Sequence, residues 1–432
     1  MFLMGSSAVD KKASENQLVL NTAFAKKITG DSVGNITQGL ASCINSQYIL
    51  WVTEDQDGAD GNIRTINFAN ASGEIQKRKK LVEAGINNLE TRQAISDSEN
   101  TYVLSVRNTS EIYVTKISED GENIEWSKRS VVSGNLDSST KPCVIAQNTN
   151  NIFLAFYYGS LGAGLTYILS ISKSDGSLNW HRRFGNSGFI VSWLEADDTG
   201  VYISDINNGF IVKVDTSGTL AWQWGTDFIT NQLGGIALLD ESVIAAGVYK
   251  LDSTKIQVIW MDKTNGTLKK NKVVDNTASS ASYSAQDRVR LPMNCAGSNG
   301  QKAIVCISEF NSSSDLLMCE VSEDDVEFAF YNLDGASEKY YHNLEVDQNG
   351  NWIIFGSTDD RIQFIANVEA DGTVPARFNQ ANDYAGDYTV SNGSHSLYAP
   401  TNSISSSFSA SIVDAVMALV DVTIDTEADW IT

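Results

Sequence analysis

Short segments with alternating apolar and polar residues recur along the whole chain. Three of them are IYVTKIS from Ile112, ILSISKS from Ile168 and FIVKVDT from Phe210, and each leads into an Asp-Gly or Ser-Gly pair. Alternation with a period of two is typical of strands, and these dipeptides tolerate the positive φ of tight hairpins. The pattern predicts antiparallel strands joined by short turns, with an ambiguous helical pattern confined to residues 411–420.

The strands belong to a longer repeat. One marker, a short aromatic or aliphatic strand, returns about every 50 residues, a period typical of repeat folds. Its copies centre on Tyr48, Tyr102, Phe153, Tyr202, Val243, Ile304, Trp352 and Tyr398. We expect Tyr102, Tyr202 and Trp352 to occupy equivalent places.

A second marker keeps the same period. It is a turn, usually with glycine, followed by a strand that often carries tryptophan. The turns lie at Gly73, Gly121, Gly176, Gly218, Gly266, Asp325 and Gly372, and the tryptophans are Trp126, Trp180 and Trp222. Two markers in step indicate one structural unit repeated along the chain.

A unit of about 50 residues with three or four strands cannot cover both faces of its own sheet, but units arranged radially cover each other. The sequence predicts an all-β fold: a single β-propeller of seven or eight four-stranded blades, with eight favoured. Leu397–Tyr398 would be the inner strand of the eighth blade, with Trp430 in the place of Trp222. Seven blades with a C-terminal extension is the alternative.

The N-terminus is predicted to complete the ring. Residues 18–29 are similar to the outer-strand segments WSKRSV and WHRRFG, with Phe24 in the tryptophan position. An outer strand with no inner strand before it predicts that the N-terminal strand closes the last blade. The expected organisation is an N-terminal arm over 1–16, either a docking segment or a frayed terminus, and the propeller over 17–432.

The strand and turn pattern L/I-x-K/V-D-x-x-x-G-x-L-x-W resembles quinoprotein-type and related bacterial propeller repeats. The resemblance spans about Leu18 to Trp430 and implies an architecture without implying an activity. Quinoprotein dehydrogenases often have adjacent cysteines beside the cofactor, and this chain has none; no cofactor is expected. The opening MFLMGSSA resembles the leaders of virion structural proteins of marine tailed bacteriophages.

The net charge of the chain limits the kinds of partner that we expect. The 432 residues include 31 Lys and Arg against 53 Asp and Glu, a net charge of −22. Nucleic-acid binding rests on cations that neutralise phosphates, so no nucleic-acid partner is expected. No apolar run reaches the roughly 18 residues of a membrane span.

The five cysteines have no metal or redox spacing and are expected as free thiols, mostly buried, in a cytosolic protein without a secretory signal.

Few residues are candidates for chemistry. No catalytic, cofactor-binding or metal site is predicted, and the isolated histidines His181, His342 and His395 are expected in strands or loops. Asp55, Asp57, Asp60 and Asn62 alternate in the style of a calcium loop, although a solvated hairpin tip is the favoured interpretation. Trp193 and Trp224 fall off the repeat and remain candidates for a binding surface. Trp126, Trp180, Trp222 and Trp430 are expected in the core.

These observations predict a non-enzymatic virion structural protein of a tailed phage, assembled in the host cytoplasm. The propeller would attach to the tail or capsid through the N-terminal arm and other virion proteins, and its loops would contact a host surface receptor. One alternative is a bacterial surface or periplasmic propeller that binds carbohydrate or protein. Another is a propeller enzyme with a site in the central channel. The basic segments Lys77–Lys80, His181–Arg183 and LKKNK from Leu268 are expected to protect sheet edges from unwanted pairing.

Overall fold

The structure is a computed structural model. It describes residues 18, 20, 24–28, 42–57, 61–83, 89–97, 99–107, 111–131, 143–158, 165–184, 189–205, 209–226, 233–248, 255–276, 282–283, 296–310, 316–332, 339–347, 349–358, 363–368, 388–392, 397–398, 404–405, 411–414, 417–421 and 427–429. Every regular element within these ranges is a β-strand. The all-β prediction is confirmed for this part of the chain.

Most strands follow each other at short intervals, as the hairpin pattern predicted. The strands up to Asn276 are β1 (Phe24–Ile28), β2 (Ser42–Ile44), β3 (Ile49–Asp57), β4 (Gly61–Ala69), β5 (Ile75–Glu83), β6 (Leu89–Ser96), β7 (Asn100–Arg107), β8 (Glu111–Ser118), β9 (Ile124–Val131), β10 (Cys143–Gln147), β11 (Asn151–Tyr158), β12 (Leu165–Ser172), β13 (Leu178–Phe184), β14 (Val191–Asp197), β15 (Gly200–Asp205), β16 (Phe210–Asp215), β17 (Leu220–Thr226), β18 (Leu233–Leu238), β19 (Ser242–Val248), β20 (Lys255–Asp262) and β21 (Leu268–Asn276). Those that follow are β22 (Ser282–Tyr283), β23 (Ala296–Ser298), β24 (Lys302–Phe310), β25 (Leu316–Ser322), β26 (Val326–Asn332), β27 (Lys339–Val346), β28 (Trp352–Thr358), β29 (Gln363–Val368), β30 (Tyr388–Asn392), β31 (Leu397–Tyr398), β32 (Ile404–Ser405), β33 (Ser411–Asp414), β34 (Met417–Asp421) and β35 (Glu427–Asp429).

The described strands form seven antiparallel sheets, most of them built from consecutive strands. We number them in chain order: sheet 1 (β2–β5), sheet 2 (β6–β9), sheet 3 (β10–β13), sheet 4 (β14–β17), sheet 5 (β18–β21), sheet 6 (β22–β26) and sheet 7 (β27–β29 with β1). In sheet 7 the fourth strand is the N-terminal one, because β1 pairs with β29 from Phe24 opposite Asn367 to Ile28 opposite Gln363.

Neighbouring sheets meet through their first strands, and β23 takes the place of the first strand in sheet 6. Contacts run from β2 to β6, β10, β14, β18, β23 and β27 in turn, and β27 contacts β2. The apolar clusters lie between consecutive sheets: one joins sheets 3 and 4 around Phe153 and Val201, and another joins sheets 7 and 1 around Ile353 and Trp51. Each sheet therefore buries its apolar face against its neighbour, which is the packing that the repeat predicted.

Tyr102, Tyr202 and Trp352 lie in equivalent strands. Each belongs to the second strand of its sheet, β7, β15 or β28, and each is at most 3% exposed. The prediction of equivalent places is confirmed.

The last six described strands add no further sheet. β30 to β35 are two to five residues long, and each pairs antiparallel with the outer strand of an earlier sheet. They attach in reverse order, to sheets 5, 4, 3, 2, 1 and 7. We call β30–β35 the C-terminal belt.

The belt corrects the predicted eighth blade. Leu397–Tyr398 is the outermost strand of sheet 4, opposite Thr226 and Gly225, and not the inner strand of a sheet of its own. An outer strand offers a row of unpaired backbone groups with which a short segment can pair. The ambiguous stretch over 411–420 contains β33 and the first four residues of β34, and Trp430 lies outside the described residues.

No helix in the described part of the chain has both the length and the apolar character of a membrane span.

Candidate functional site

Polar side chains concentrate where first strands turn into second strands and third strands turn into fourth. Successive strands are antiparallel, so both kinds of turn lie at the same end of each sheet. We call this end the turn face. Many of its side-chain bonds connect one sheet to the next, so it is the candidate functional site.

The first turn of most sheets is capped by an Asn or Asp side chain. Backbone amides two to four residues further along donate to the side-chain Oδ1, as with Asn151 N to Asn148 (2.8 Å) and Asn100 N to Asp97 (2.8 Å). The other such residues are Asn45, Asp197, Asn299 and Asp347. Short polar side chains stabilise turns in this way.

In two places the aspartate of the first turn also forms an ion pair with the next sheet. Lys263 Nζ in sheet 5 lies 2.8 Å from Asp197 Oδ2 in sheet 4, and the Tyr202 hydroxyl donates to the same oxygen at 3.2 Å. The Asp197 side chain is 2% exposed and that of Lys263 is 11% exposed. An Asp–Tyr–Lys triad thus joins sheets 4 and 5.

The second triad joins sheets 2 and 3. Lys173 Nζ donates to Asp97 Oδ2 at 3.0 Å, and the Tyr102 hydroxyl donates to that oxygen at 3.1 Å. The lysine ammonium also lies 5.4 Å from the centre of the Tyr102 ring, within cation–π range.

Electrostatics fix the protonation states of the aspartate and the tyrosine in each triad. Burial alone would raise the pKa of Asp97 and Asp197, but Lys173 and Lys263 together with hydrogen bonds lower the pKa of both carboxyl groups below the ordinary value. Burial, reinforced by the nearby carboxylates, raises the pKa of the Tyr102 and Tyr202 hydroxyls. At neutral pH the carboxylates are ionised and the phenols protonated, which suits a structural joint better than a proton-transfer site.

Sheets with asparagine in the first turn make a different bond to the next sheet. The side-chain amide donates to a backbone carbonyl there, from Asn148 to Asp197 (3.2 Å) and from Asn299 to Asp347 (3.1 Å). Asn45 likewise donates to the Glu119 carbonyl at 3.0 Å. An amide can donate where a carboxylate cannot, so the residue type decides which partner the next sheet must supply.

Between sheets 7 and 1, Asp347 is fully buried, and its described hydrogen-bond donors are neutral. Its carboxylate accepts the Asn349 and Asn351 backbone amides and the Asn351 side-chain amide, the last at 2.7 Å. The Leu20 backbone amide also bonds to it. Burial raises the pKa of Asp347 above its ordinary value. This carboxylate therefore joins the N-terminal segment to sheet 7.

The repeated tryptophans bond to the second type of turn. The indole Nε1 of Trp126, Trp180 and Trp222 donates to a carbonyl in the third-to-fourth turn of the next sheet, at 3.1, 2.8 and 3.2 Å. The accepting residues are Lys173, Thr216 and Lys263. Trp180 and Trp222 are buried and Trp126 packs against a buried cluster, so the core prediction is confirmed for these three.

Glycine lets the turn lie on the indole. Gly218 has φ +82°, and a Cβ there would come within 2.8 Å of Trp180 and Arg182. That backbone conformation disfavours other residues, and the ring leaves no room for a side chain. The Gly turn and the Trp strand, which formed one sequence marker, therefore meet between neighbouring sheets.

Two sheets use lysine at the tryptophan position. Lys77 and Lys270 donate to backbone carbonyls of the next sheet, Lys77 to Asp120 and Lys270 to Asp324 (2.7 Å). The aromatic residue then lies on the third strand, directly across, as Phe68 or Trp260. The indole of Trp260 donates to the Ser322 carbonyl at 2.7 Å.

The two tryptophans outside the repeat also pack within the protein. Trp193 is 5% exposed and donates to Glu195 Oε1 at 3.1 Å. Trp224 is partly buried against a core cluster and donates to the Asn265 carbonyl at 3.4 Å. The burial of Trp193 leaves little of its indole for a ligand, whereas a binding role for the partly buried Trp224 stays a prediction.

The basic segments act differently from the prediction. They lie on outer strands, but the belt pairs with only part of each edge, at 79–83 in β5, 183–184 in β13 and 272–276 in β21. Many of their cations reach the next sheet instead: Lys77 and Lys79 bind Glu122 at 2.9 and 2.7 Å, and Arg182 donates to the Gly218 carbonyl. These side chains therefore bond to the carbonyls and carboxylates of the next sheet, and protection of the unpaired edge positions stays a prediction.

The remaining candidates form no described site. Asp55 and Asp57 lie in β3 and Asn62 in β4, while Asp60 and the side chains of all four lie outside the described residues; calcium binding stays a prediction. His181 lies in β13, and the side chains of His342 and His395 are outside the described part. Among described residues, no three His, Cys, Asp or Glu side chains converge on a metal position. Cys43, Cys143 and Cys319 are free thiols, and burial raises the pKa of Cys43 and Cys319.

The sequence repeat predicts the aromatic members of the turn face but not the triads. The missed signal is the pairing of Asp97 with Tyr102 and of Asp197 with Tyr202 at the same spacing, each pair followed in the next unit by lysine three residues before a turn glycine.

No family model and no curated protein matches the chain. The solved structures similar to the chain include a subtype N10 neuraminidase-like protein of A/little yellow-shouldered bat/Guatemala/060/2010 (8% identity, TM-score 0.39, 81% of this chain and 98% of the other). Two others are a DUF4221 member from Bacteroides vulgatus (10%, 0.42, 88% and 99%) and Kluyvelomyces marxianus Hsv2 (12%, 0.41, 72% and 87%). We assign no residue or activity from these similarities.

Proposed function

We propose that the chain is a closed seven-bladed β-propeller in which each numbered sheet is one blade and β1 completes the last. The support is the circuit of contacts between first strands, which returns from β27 to β2. The apolar cluster shared by sheets 7 and 1 is what a closed ring requires at its junction. A crystal or cryo-EM structure with a different number of sheets around the axis would overturn this count.

We further propose that this propeller is a non-enzymatic structural protein of a tailed phage virion. The observation that carries the structural role is the turn face, where carboxylates, lysines and indoles are engaged in bonds between sheets. A surface built in this way gives a rigid support for loops. The resemblance of residues 1–8 to virion leaders supports placement in the particle.

Within the virion, residues 1–16 would attach the propeller to a neighbouring subunit as an extended strand, and its loops would contact a host surface receptor. We favour the tail over the capsid. The net charge of −22 would keep the protein soluble at high ionic strength, where salt screens repulsion between copies.

The test is quantitative mass spectrometry of density-purified particles from the producing lysate. We expect the protein at a fixed ratio to the major capsid protein in every fraction of the particle peak. Purified free protein added to particles that lack it controls for adhesion during purification. Absence from the particle peak, or a ratio that varies across it, would contradict the proposal.

A further inference from the structure

The N-terminal strand differs from the fourth strands of sheets 1 to 5. Those strands follow their third strands through short turns, as β17 follows β16 after residues 216–219. β1 reaches sheet 7 from the opposite end of the chain, with no turn joining it to β29. No turn therefore ties β1 to the third strand of its sheet.

β1 is nevertheless held on both sides. On the inner side it pairs with β29, and on the outer side it pairs with β35, where Lys26, Lys27 and Ile28 lie opposite Asp429, Ala428 and Glu427. The residues that precede it are anchored as well. Leu20 is 4% exposed, its carbonyl accepts from the Asn351 amide at 3.4 Å, and the Leu18 amide donates to the Asn45 carbonyl at 3.0 Å.

The belt ends on this same sheet. It starts at sheet 5 and runs through sheets 4, 3, 2 and 1 before β35 reaches sheet 7. Its attachments are uneven, because β31 and β32 are two residues long whereas β33 and β34 are four and five. The last attachment before β1 is therefore among the firmest of the belt.

We propose that the C-terminal belt is a clasp that retains the N-terminal strand. β34 positions β35, and β35 covers the outer edge of β1, so β1 leaves sheet 7 only after β35 has detached. Each end of the chain thus protects the other against local opening. This role is independent of the proposed place in a virion.

The test compares two cuts made in the folded full-length protein. A flexible insert with a site for a specific protease is placed within residues 422–426, between β34 and β35, or within 399–403, between β31 and β32. The first cut leaves β35 on a short separate peptide. The second leaves β35 attached to β34 and β33. Cutting after folding removes the concern that a truncated chain fails to fold.

The readout is hydrogen exchange over Phe24–Ile28. After the first cut we expect β1 amides to exchange about tenfold faster or more, since the loss of one or two net hydrogen bonds corresponds to that factor. After the second cut we expect β1 exchange to stay within about twofold of the uncut protein, because the belt segment that carries β35 is still held by several hydrogen bonds. Equal exchange after both cuts, whether fast or slow, would overturn the clasp.

Discussion

At the scale of single residues, the triad between sheets 4 and 5 can be tested by substitution, because a neighbouring joint in the same chain has asparagine where this one has Asp197. Replacing Asp197 with Asn would leave Lys263 buried without its anion. Removing one partner of a buried ion pair costs about 3 kcal/mol or more. We expect Asp197→Asn to lower the free energy of unfolding in urea by that amount.

The control for this substitution is the neighbouring joint, where asparagine is the natural residue. Asn148 in sheet 3 faces a turn that has Thr216 where sheet 5 has Lys263. The double variant Asp197→Asn with Lys263→Thr copies that joint and should recover more than half of the loss. A double variant as unstable as the single one would show that the ion pair is not the source of the effect.

A turn glycine gives a second residue-scale prediction. Gly218→Ala would force a side chain into a left-handed backbone and against Trp180 and Arg182. The conformation alone costs about 1–2 kcal/mol, so with the clash we expect a loss of about 2 kcal/mol or more in chemical denaturation. Ala221→Ser, on the exposed side of β17, is the control and should stay within about 0.5 kcal/mol. An unchanged Gly218→Ala would mean that the turn does not rest on the indole.

The periodicity of the sequence predicts the buried aromatic residues but not the lysines of the triads. It predicted the burial of Trp180 and Trp222 because repeated aromatics at one position need one environment. It missed Lys173 and Lys263, because a lysine beside a turn glycine has the sequence appearance of a solvated tip. Their burial depends on Asp97 and Asp197 in the preceding sheet, and a single unit of the repeat does not contain that information.

At the scale of elements, a lysine and an aromatic residue lie opposite each other on the third and fourth strands of a sheet. Which of the two strands carries the aromatic residue differs between sheets. In sheet 4 Lys213 lies opposite Trp222, and in sheet 5 Trp260 lies opposite Lys270. All four donate to carbonyls of the next sheet. We predict that the double variant Trp260→Lys with Lys270→Trp is more stable than Trp260→Lys alone.

The single Trp260→Lys variant removes a fully buried indole and should cost about 3–5 kcal/mol. The double variant should restore at least half of that, and a double-mutant cycle by thermal unfolding measures the difference. If the losses of the two single variants simply add in the double variant, the two arrangements of lysine and tryptophan are not interchangeable between sheets.

Element prediction from sequence succeeded for the hairpins and failed for the belt. Alternation and Gly turns specify four-stranded units because those signals are local. β31 and β32 are two residues long, too short for any period to appear, and their pairing is fixed by edges that lie about 170 to 220 residues earlier in the chain. A segment whose partners are all distant in sequence leaves no local pattern to identify it.

At the scale of the whole molecule, acid should affect two joints in opposite directions. The folded-state pKa of Asp197 is lowered, so between that value and the unfolded one the unfolded chain binds more protons, and this carboxyl stabilises the fold increasingly as pH rises. The folded-state pKa of Asp347 is raised, so between the unfolded value and the folded one the folded chain binds more protons, and the stability that this carboxyl contributes falls as pH rises through that window.

Two isosteric variants separate these contributions. The measurement is urea unfolding between pH 3 and pH 7. The difference in free energy of unfolding between the wild type and Asp197→Asn should grow with pH, most steeply below about pH 4, because an unperturbed Asp titrates there. The difference in free energy of unfolding between the wild type and Asp347→Asn should shrink as pH rises above about pH 4. Asn148 shows that asparagine can cap this turn, so Asp347→Asn is expected to fold. Parallel slopes for the two differences would contradict this account, because the junction between sheets 7 and 1 would then have the same electrostatics as the joint between sheets 4 and 5.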